Sequence, residues 1–214
     1  MIKIRKITVN AFQEHTYLVF DEDNNCVIID PGCSNEKELS AVEKYISENN
    51  LKPQAIWHTH LHFDHTMATA HFARLYNIPA FCHRDDLPTF DANRLMAAQW
   101  GFEINADGSV FDHFVADGDK ISIGNDEFTV LHVPGHSPGG VAFYSAENQV
   151  CFCGDTLFRM SVGRTDLPGG DENELLNSIK TKLFTLPDDT LLCCGHGDES
   201  NVGFERQYNP YCGN

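Results

Sequence analysis

Seven consecutive residues, Thr59-His60-Leu61-His62-Phe63-Asp64-His65, hold three imidazoles and a carboxylate directly after the apolar run Ala55-Ile56-Trp57. A chain with this cluster must fold so that one strand end delivers several nitrogen and oxygen donors to a single place. Such donors suit zinc, iron, manganese or nickel, and the absence of a thiolate in the cluster favours a catalytic centre over a sulfur-rich structural one. If the strand stays extended through His60 and His62, both imidazoles point to one side and share an ion. Asp64 and His65 then face elsewhere. Asp64 is the expected N-cap of the helix that begins there, and the turn into that helix aims the pair at a second ion.

Three further strand ends each carry one donor. Pro134-Gly135-His136-Ser137-Pro138-Gly139-Gly140 follows Phe128-Thr129-Val130-Leu131, and its glycines are expected to let backbone approach an ion. Cys153-Gly154-Asp155-Thr156 ends a second apolar run and Cys194-Gly195-His196-Gly197 a third. A single His or Asp beside Gly is ordinary turn chemistry. Together with the cluster, these donors divide as His60, His62 and His136 on one ion, Asp64, His65 and His196 on the other, with Asp155 bridging. Two ions roughly 3.5–4 Å apart share a hydroxide and polarise a carbonyl, which is hydrolysis without a protein nucleophile. The carboxylates expected to act in catalysis are Asp64 and Asp155, the latter orienting the hydroxide.

An HxHxDH motif followed by single His, Asp and His ligands, with Ile29-Asp30-Pro31-Gly32 before it, resembles the metallo-β-lactamase superfamily. The likeness spans nearly the whole chain. Within the superfamily, Gly154-Asp155-Thr156-Leu157-Phe158, Gly163-Arg164 and Gly195-His196-Gly197 with Glu205 and Asn209-Pro210 resemble the short bacterial relatives of glyoxalase II, the hydroxyacylglutathione hydrolases. The resemblance implies two divalent ions, most simply zinc with iron or manganese as alternatives, acting on a small thioester or ester. It implies that Asp30 and Thr59 support the metal loop from behind. Arg164 is a candidate to hold a substrate carboxylate in a fork, and pairing with Asp166 is the local alternative.

Two departures weaken any expectation of glutathione specificity. Thr165-Asp166-Leu167-Pro168-Gly169-Gly170 stands where glyoxalase II carries an aromatic pair near its glutathione site. The chain also ends at Asn214, without the C-terminal helical segment of that enzyme. Other chemistries on the same scaffold remain open: lactone or ester hydrolysis, or iron-dependent persulfide dioxygenation through His60, His136 and Asp155, a two-His-one-carboxylate set.

Periodicity places strands at Ile2 to Val9, Thr16 to Asp21 and Cys26 to Asp30, with a hairpin turn at Asp23-Asn24-Asn25. A helix from Asn35 to Asn49 follows, with Asn35 and Glu38 at capping-box spacing. Strand Ala55 to His58, the metal loop and a helix to Tyr76 complete the first unit, and Pro79 marks its exit. Strands at Lys120 to Ile123, Glu127 to Val133, Val141 to Ser145 and Val150 to Cys153, a helix from Glu172 to Phe184 and strand Thr190 to Cys194 form the second. This α/β (α+β) pattern fits the four-layer αβ/βα sandwich that the resemblance implies, two mixed sheets face to face with helices outside, as one domain over residues 1–214. Residues 84 to 116 fit least. Ala92 to Trp100 reads as helix and Asn105-Ala106-Asp107-Gly108 as loop, either a lid over the site or an excursion packing Leu95, Met96 and Trp100 on the core.

Fifteen Lys and Arg against 31 Asp and Glu give a formal charge of −16, a poor match for nucleic acid. No apolar run approaches a membrane span, and Met1-Ile2-Lys3-Ile4-Arg5 lacks the apolar region of a signal peptide, so a cytoplasmic location is expected. Eight Cys then remain thiols, with Cys151, Cys153, Cys193 and Cys194 packed as small hydrophobes. His15, His58, His71, His83, His113 and His132 are expected to be structural or surface residues, with His58 the one closest in spacing to the cluster.

Overall fold

The computed structural model describes residues 1–99, 101, 102, 104 and 108–213. The first sheet runs in the order β1 (Lys3–Val9), β2 (Glu14–Phe20), β3 (Asn25–Ile29), β4 (Lys52–Trp57), β5 (Ala80–His83) and β6 (Phe111–Val115). Its β1–β3 pairings are antiparallel and its β3–β6 pairings parallel. The edge strand β1 carries Lys3, Arg5 and Lys6, charges that discourage edge-to-edge pairing. The second sheet contains β7 (Lys120–Ile123), β8 (Asp126–His132), β9 (Val141–Ser145) and β10 (Val150–Gly154). After a two-stranded hairpin of β11 (Leu157–Phe158) and β12 (Ser161–Val162), it is completed by β13 (Leu191–Cys194) and β14 (Ser200–Asn201), in the order 14-13-10-9-8-7.

Strands apolar at every position must be covered on both faces. Successive side chains of a strand point to opposite sides, so each such run feeds two cores. Cys26, Ile28 and Ile56 join the cluster under helices α1 (Glu36–Glu48) and α3 (Thr69–Tyr76), while Val27, Ile29 and Trp57 face the second sheet. There Trp57 meets Phe128 and Phe143 at ring-centroid distances of 5.3 and 5.2 Å. Val150 and Phe152 share that inter-sheet core. Cys151, Cys153 and Cys194 turn the other way, against Leu175 and Ile179 of α5 (Glu172–Thr181). The result is helices, sheet, sheet, helices. All eight Cys are buried free thiols, six of them on strands and Cys33 and Cys212 outside them.

Local signals set several element ends. Asn35 caps α1, its Oδ1 accepting from the Lys37 and Glu38 amides; Glu38 reaches back to the Ser34 amide, one residue earlier than a capping box. The Asp21 carboxylate accepts from the Asp23 and Asn25 amides and closes the hairpin turn.

The metal loop departs from the sequence expectation in two ways. Strand β4 ends at Trp57, so His60 and His62 lie on a loop rather than on one strand face. The following helix is one turn, α2 (Phe63–Thr66), with His62 rather than Asp64 at the N-cap position and no side-chain capping bond. It cannot run on into α3 because its hydrogen bonds are diverted: the Asp64 carbonyl accepts from Asn10 Nδ2, and the Ala68 amide donates to the Pro31 carbonyl.

Residues 80–115 form more structure than periodicity disclosed, with β5, α4 (Leu87–Gln99) and β6 all present. Phe90 and Ala97 of α4 are fully buried, whereas Leu95 is exposed. Trp100 and Asn105 to Asp107 lie outside the described residues. The chain finishes in α6 (Val202–Tyr208), whose buried Glu205 accepts from the Met160 amide and from Asn209 Nδ2, anchoring the β11–β12 hairpin. Among the described residues no helix is long and apolar enough to cross a membrane.

Candidate metal centre

In the first sheet, β3, β4 and β5 run parallel, so Asp30, the His60 loop and Asp86 follow their carboxyl ends on one edge. In the second, β8, β10 and β13 share a direction and release His136, Asp155 and His196. Backbone bonds join the two edges: Val141 N to Thr59 O at 2.8 Å and His15 N to Gly195 O at 2.8 Å. Donors more than a hundred residues apart thereby converge.

They converge as two groups. Within each of His60–His62–His136 and Asp64–His65–His196, the donor atoms lie within 4.8 Å of one another. Asp155 reaches both, with Oδ2 3.6 Å from His136 Nε2 and 3.4 Å from His196 Nε2, and Oδ1 3.5 Å from His65 Nε2. Gly195 permits this approach, since a Cβ there would sit 2.1 Å from Asp155 Oδ1. Gly135 and Gly139, expected to admit an ion, serve tight packing instead: a Cβ on them would meet the Leu175 amide at 2.2 Å and the Asp86 amide at 2.6 Å.

Four of the five rings are oriented from behind. His136 Nδ1 donates to the Arg164 carbonyl (2.7 Å), His196 Nδ1 to the Phe12 carbonyl (3.0 Å), and His65 Nδ1 to Asp30 Oδ2 (3.1 Å). Thr59 Oγ1 donates to Asp30 and so accepts from His60 Nδ1 at 3.1 Å. Every Nε2 of these four rings therefore turns inward. Second partners of this kind are what fix metal-binding imidazoles. His62 Nδ1 lies 2.8 Å from His136 Nε2, and His65 Nε2 lies 3.3 Å from His196 Nε2. Contacts this short need a proton or a cation between the nitrogens, since two facing lone pairs repel. Buried His60 Nε2 and Asp155 Oδ1 have no hydrogen-bond partner, so the donor set fits divalent ions at both groups.

Asp30 is the anchor of this arrangement. It accepts from the Thr59 amide at 2.8 Å and from Thr59 Oγ1 at 2.5 Å, and its backbone is left-handed, with φ at +48°. His58, the spare histidine of the loop, is fully buried with Nε2 3.1 Å from Thr69 Oγ1 and joins neither group. The pairing His83–Asp85–His132 also brings three donors together, but its imidazoles stack in parallel, 8° apart, so their in-plane lone pairs do not converge.

Residues with no motif signal complete the centre. Asn10 Nδ2 donates to the Gly32 and Asp64 carbonyls, and His15 Nε2 meets the Gly197 carbonyl at 2.8 Å. Glu14 is fully buried, 3.8 Å from His65 Nδ1, and burial pushes its carboxyl well up. A carboxylate heading the otherwise uncharged strand β2 is the one sequence signal that points to it.

A cavity of about 410 Å³ opens onto the centre. Phe12, Phe63, Met96, Phe158, Val162 and Leu167 form its apolar walls, with Asn93 and Met96 contributed by α4. Phe12 and Phe63 pack edge-on at 5.1 Å. Helix α4 therefore both packs on the core and walls the cavity. Arg164 lines the rim, but its guanidinium forks onto Asp166 at 2.7 and 2.8 Å. A larger cavity of about 740 Å³ between α1 and α3 contains none of the grouped donors.

The metallo-beta-lactamase superfamily model matches residues 9–196, the span that holds every donor described above. The chain belongs to that superfamily. It is 34% identical over 212 residues to the hydroxyacylglutathione hydrolase GloC of Haemophilus influenzae, covering 98% of each chain. A solved structure titled as the BLEG-1 B3 metallo-beta-lactamase superposes with a TM-score of 0.89 at 33% identity, covering 98% of this chain and 99% of that one. TTHA1623, solved in a di-iron-bound form, gives 0.86 at 39% identity over 97% and 99% of the two chains. The metallo-beta-lactamase fold expected from the sequence is thus the fold observed, and at the level of class the chain is a metal-binding hydrolase.

Protons and ions compete for the inward nitrogens. Burial alone lowers the His196 pKa, but hydrogen bonds to Asp155 and Asp64 outweigh it and raise the value to about 9. In the metal-free protein this contributes stability that is complete below the unfolded pKa, about 6.5, and is lost as pH rises through about 9. For ion binding the sign reverses: affinity at the Asp64–His65–His196 group is expected to rise at least about tenfold per pH unit from 7 to 9, because His65, whose pKa burial lowers but Asp155 and Asp64 raise, must also give up a proton. Chelator competition across that range measures it, and a flat profile contradicts the assignment of His196 as a ligand.

Proposed function

We propose that this chain is a dinuclear metal-dependent thioesterase of the hydroxyacylglutathione hydrolase kind, acting on a small S-acyl thioester. The observation that carries the two-ion reading is Asp155, one carboxylate within 3.4–3.6 Å of imidazoles from both groups. His60, His62 and His136 would hold one ion, Asp64, His65 and His196 the other, and Asp155 both. Divalent ions held there would supply a hydroxide near neutral pH and would polarise the substrate carbonyl.

The residues themselves do the rest. Thr59, Asp30 and the Arg164 and Phe12 carbonyls engage the outer nitrogens of four imidazoles and leave the inner ones facing the centre. Phe12, Phe63 and Met96 exclude water beside the reacting carbonyl, and Asp155 fixes the position from which attack comes. Among the described lining residues outside the donor groups there is no Lys, Tyr, Cys or Glu to protonate a leaving group. A thiolate needs no such help, because its conjugate acid has a pKa near 8–9. Similarity to GloC points the same way. Glutathione itself has a weaker case, since the one cation at the rim, Arg164, is paired with Asp166.

The test is hydrolysis of S-lactoylglutathione by zinc-loaded and iron-loaded protein, with a chelated control. Turnover that chelation removes is the expected result. No turnover with two ions bound per chain contradicts the thioesterase reading. Oxygen uptake on glutathione persulfide by the iron-loaded protein replaces it with persulfide oxidation through His60, His136 and Asp155.

A further inference from the structure

Asp86 has no place in the HxHxDH pattern and stands at the end of a short 3₁₀ turn after β5, yet it is fully buried. Its carboxylate accepts three hydrogen bonds. Oδ2 takes the Leu61 amide at 2.8 Å and Ser137 Oγ at 3.0 Å, and Oδ1 takes the Gly139 amide at 2.6 Å. Leu61 lies between His60 and His62, and Ser137 follows His136. One side chain from the first sheet thus ties together the two loops that carry all three imidazoles of one group. The second group has no bond to Asp86: Asp64, His65 and His196 are held by Asn10, Asp30 and the Phe12 carbonyl.

We infer that Asp86 is a positioning residue for the three-imidazole half of the centre, setting the separation of His60 and His62 from His136 and hence the affinity of that half alone for its ion. The inference rests on the two-group metal centre proposed above and not on the identity of the substrate. Its chemistry is specific to a carboxylate. Three donors face two acceptor oxygens, so an amide in the same place must turn an N–H₂ towards a backbone N–H of one loop or the other, pushing the loops apart. The close fit of Gly139, where a Cβ would lie 2.6 Å from the Asp86 amide, leaves the second loop no room to follow.

The experiment compares wild type with Asp86→Asn and Ser137→Ala, using zinc titration against a chromophoric chelator to resolve two binding events, with thermal melting of the same samples. Asp21→Asn is the control. Asp21 is also a buried carboxylate that accepts backbone amides, but it lies in the β2–β3 turn away from the donors. Asp86→Asn is expected to weaken one zinc event about 10–100-fold while leaving the other within about threefold. Ser137→Ala, which removes a single donor, should weaken the same event less. Asp21→Asn should lower the melting temperature and move neither event. Two zinc events unchanged in Asp86→Asn, or both weakened equally as in a merely destabilised protein, would overturn the inference. If Asp86→Asn does not fold, Ser137→Ala decides alone: unequal weakening supports positioning, and unchanged affinities refute it. A wild-type protein that binds no zinc removes the metal-centre reading itself, and this inference with it.

Discussion

Replacing Asp155 with alanine is expected to lower kcat/KM for chelator-sensitive thioester hydrolysis by about a thousandfold or more, about 4 kcal/mol of transition-state stabilisation. Asp155 lies 3.4–3.6 Å from imidazoles of both donor groups, so the variant would remove the carboxylate that links the two proposed ion sites. The electrostatics of the site change as well. Burial by itself would raise the Asp155 carboxyl, but the His65 charge and hydrogen bonds from His196 and His65 hold it well below the usual carboxylate range. A depressed folded pKa contributes stability above the unfolded value, about 4, and that contribution is lost as pH falls through the folded pKa. The metal-free variant should therefore be less stable than wild type at pH 7, with the gap narrowing in acid. In the same variant His196 loses a partner that raises its pKa, so its imidazole should titrate below about 9, a shift that NMR reads directly. Wild-type turnover by Asp155→Ala would falsify the shared-carboxylate assignment.

Asp30→Ala is the substitution with the largest expected effect on the fold. It strands the Thr59 amide, the Thr59 hydroxyl and His65 Nδ1 in a site that is only 2% exposed, with His58 Nδ1 a further 3.6 Å neighbour. Unpartnered buried donors cost about 1–3 kcal/mol each, and partial relaxation brings the total to about 3–5 kcal/mol. In a chain of this size that is roughly 10 °C or more in Tm. Both ion events should weaken together, because Asp30 orients His60 through Thr59 and His65 directly; this is the opposite of the selective loss expected for Asp86→Asn. Burial would raise the Asp30 carboxyl, but hydrogen bonds from His58 and His65 bring it below its ordinary value. Its stabilisation is accordingly present at neutral pH and lost in acid. A melting temperature within about 2 °C of wild type would contradict this account.

The donor set was legible because it is a local property. Three His and an Asp within seven residues, and single donors placed beside Gly after apolar runs, are visible without any tertiary knowledge. The two-sided strands could be read equally well, since runs such as Cys26 to Ile29 and Val150 to Cys153 can be stable only between two layers. Where local signals conflicted with long-range partners, the partners prevailed. The helix expected through Tyr76 breaks after Thr66 because Asn10 and Pro31, both far away in the chain, take its hydrogen bonds. Asp64 loses its expected capping role because the helix begins at Phe63, which places Asp64 within its first turn. Residues 84 to 116 left both a lid and a core-packing excursion open because their helix is weakly patterned, with one side on the core and the other on the cavity.

The sequence by itself determined which atoms are available for a metal and that they stand at strand ends, because side-chain chemistry and residue period are written in neighbouring positions. Only the tertiary structure decided which nitrogen of each ring faces inward, that Asp155 reaches both groups, and that Asp86 joins two loops whose His62 and His136 stand 74 residues apart. Those outcomes depend on strand register across two sheets, where a shift of one residue would turn each donor to the opposite face.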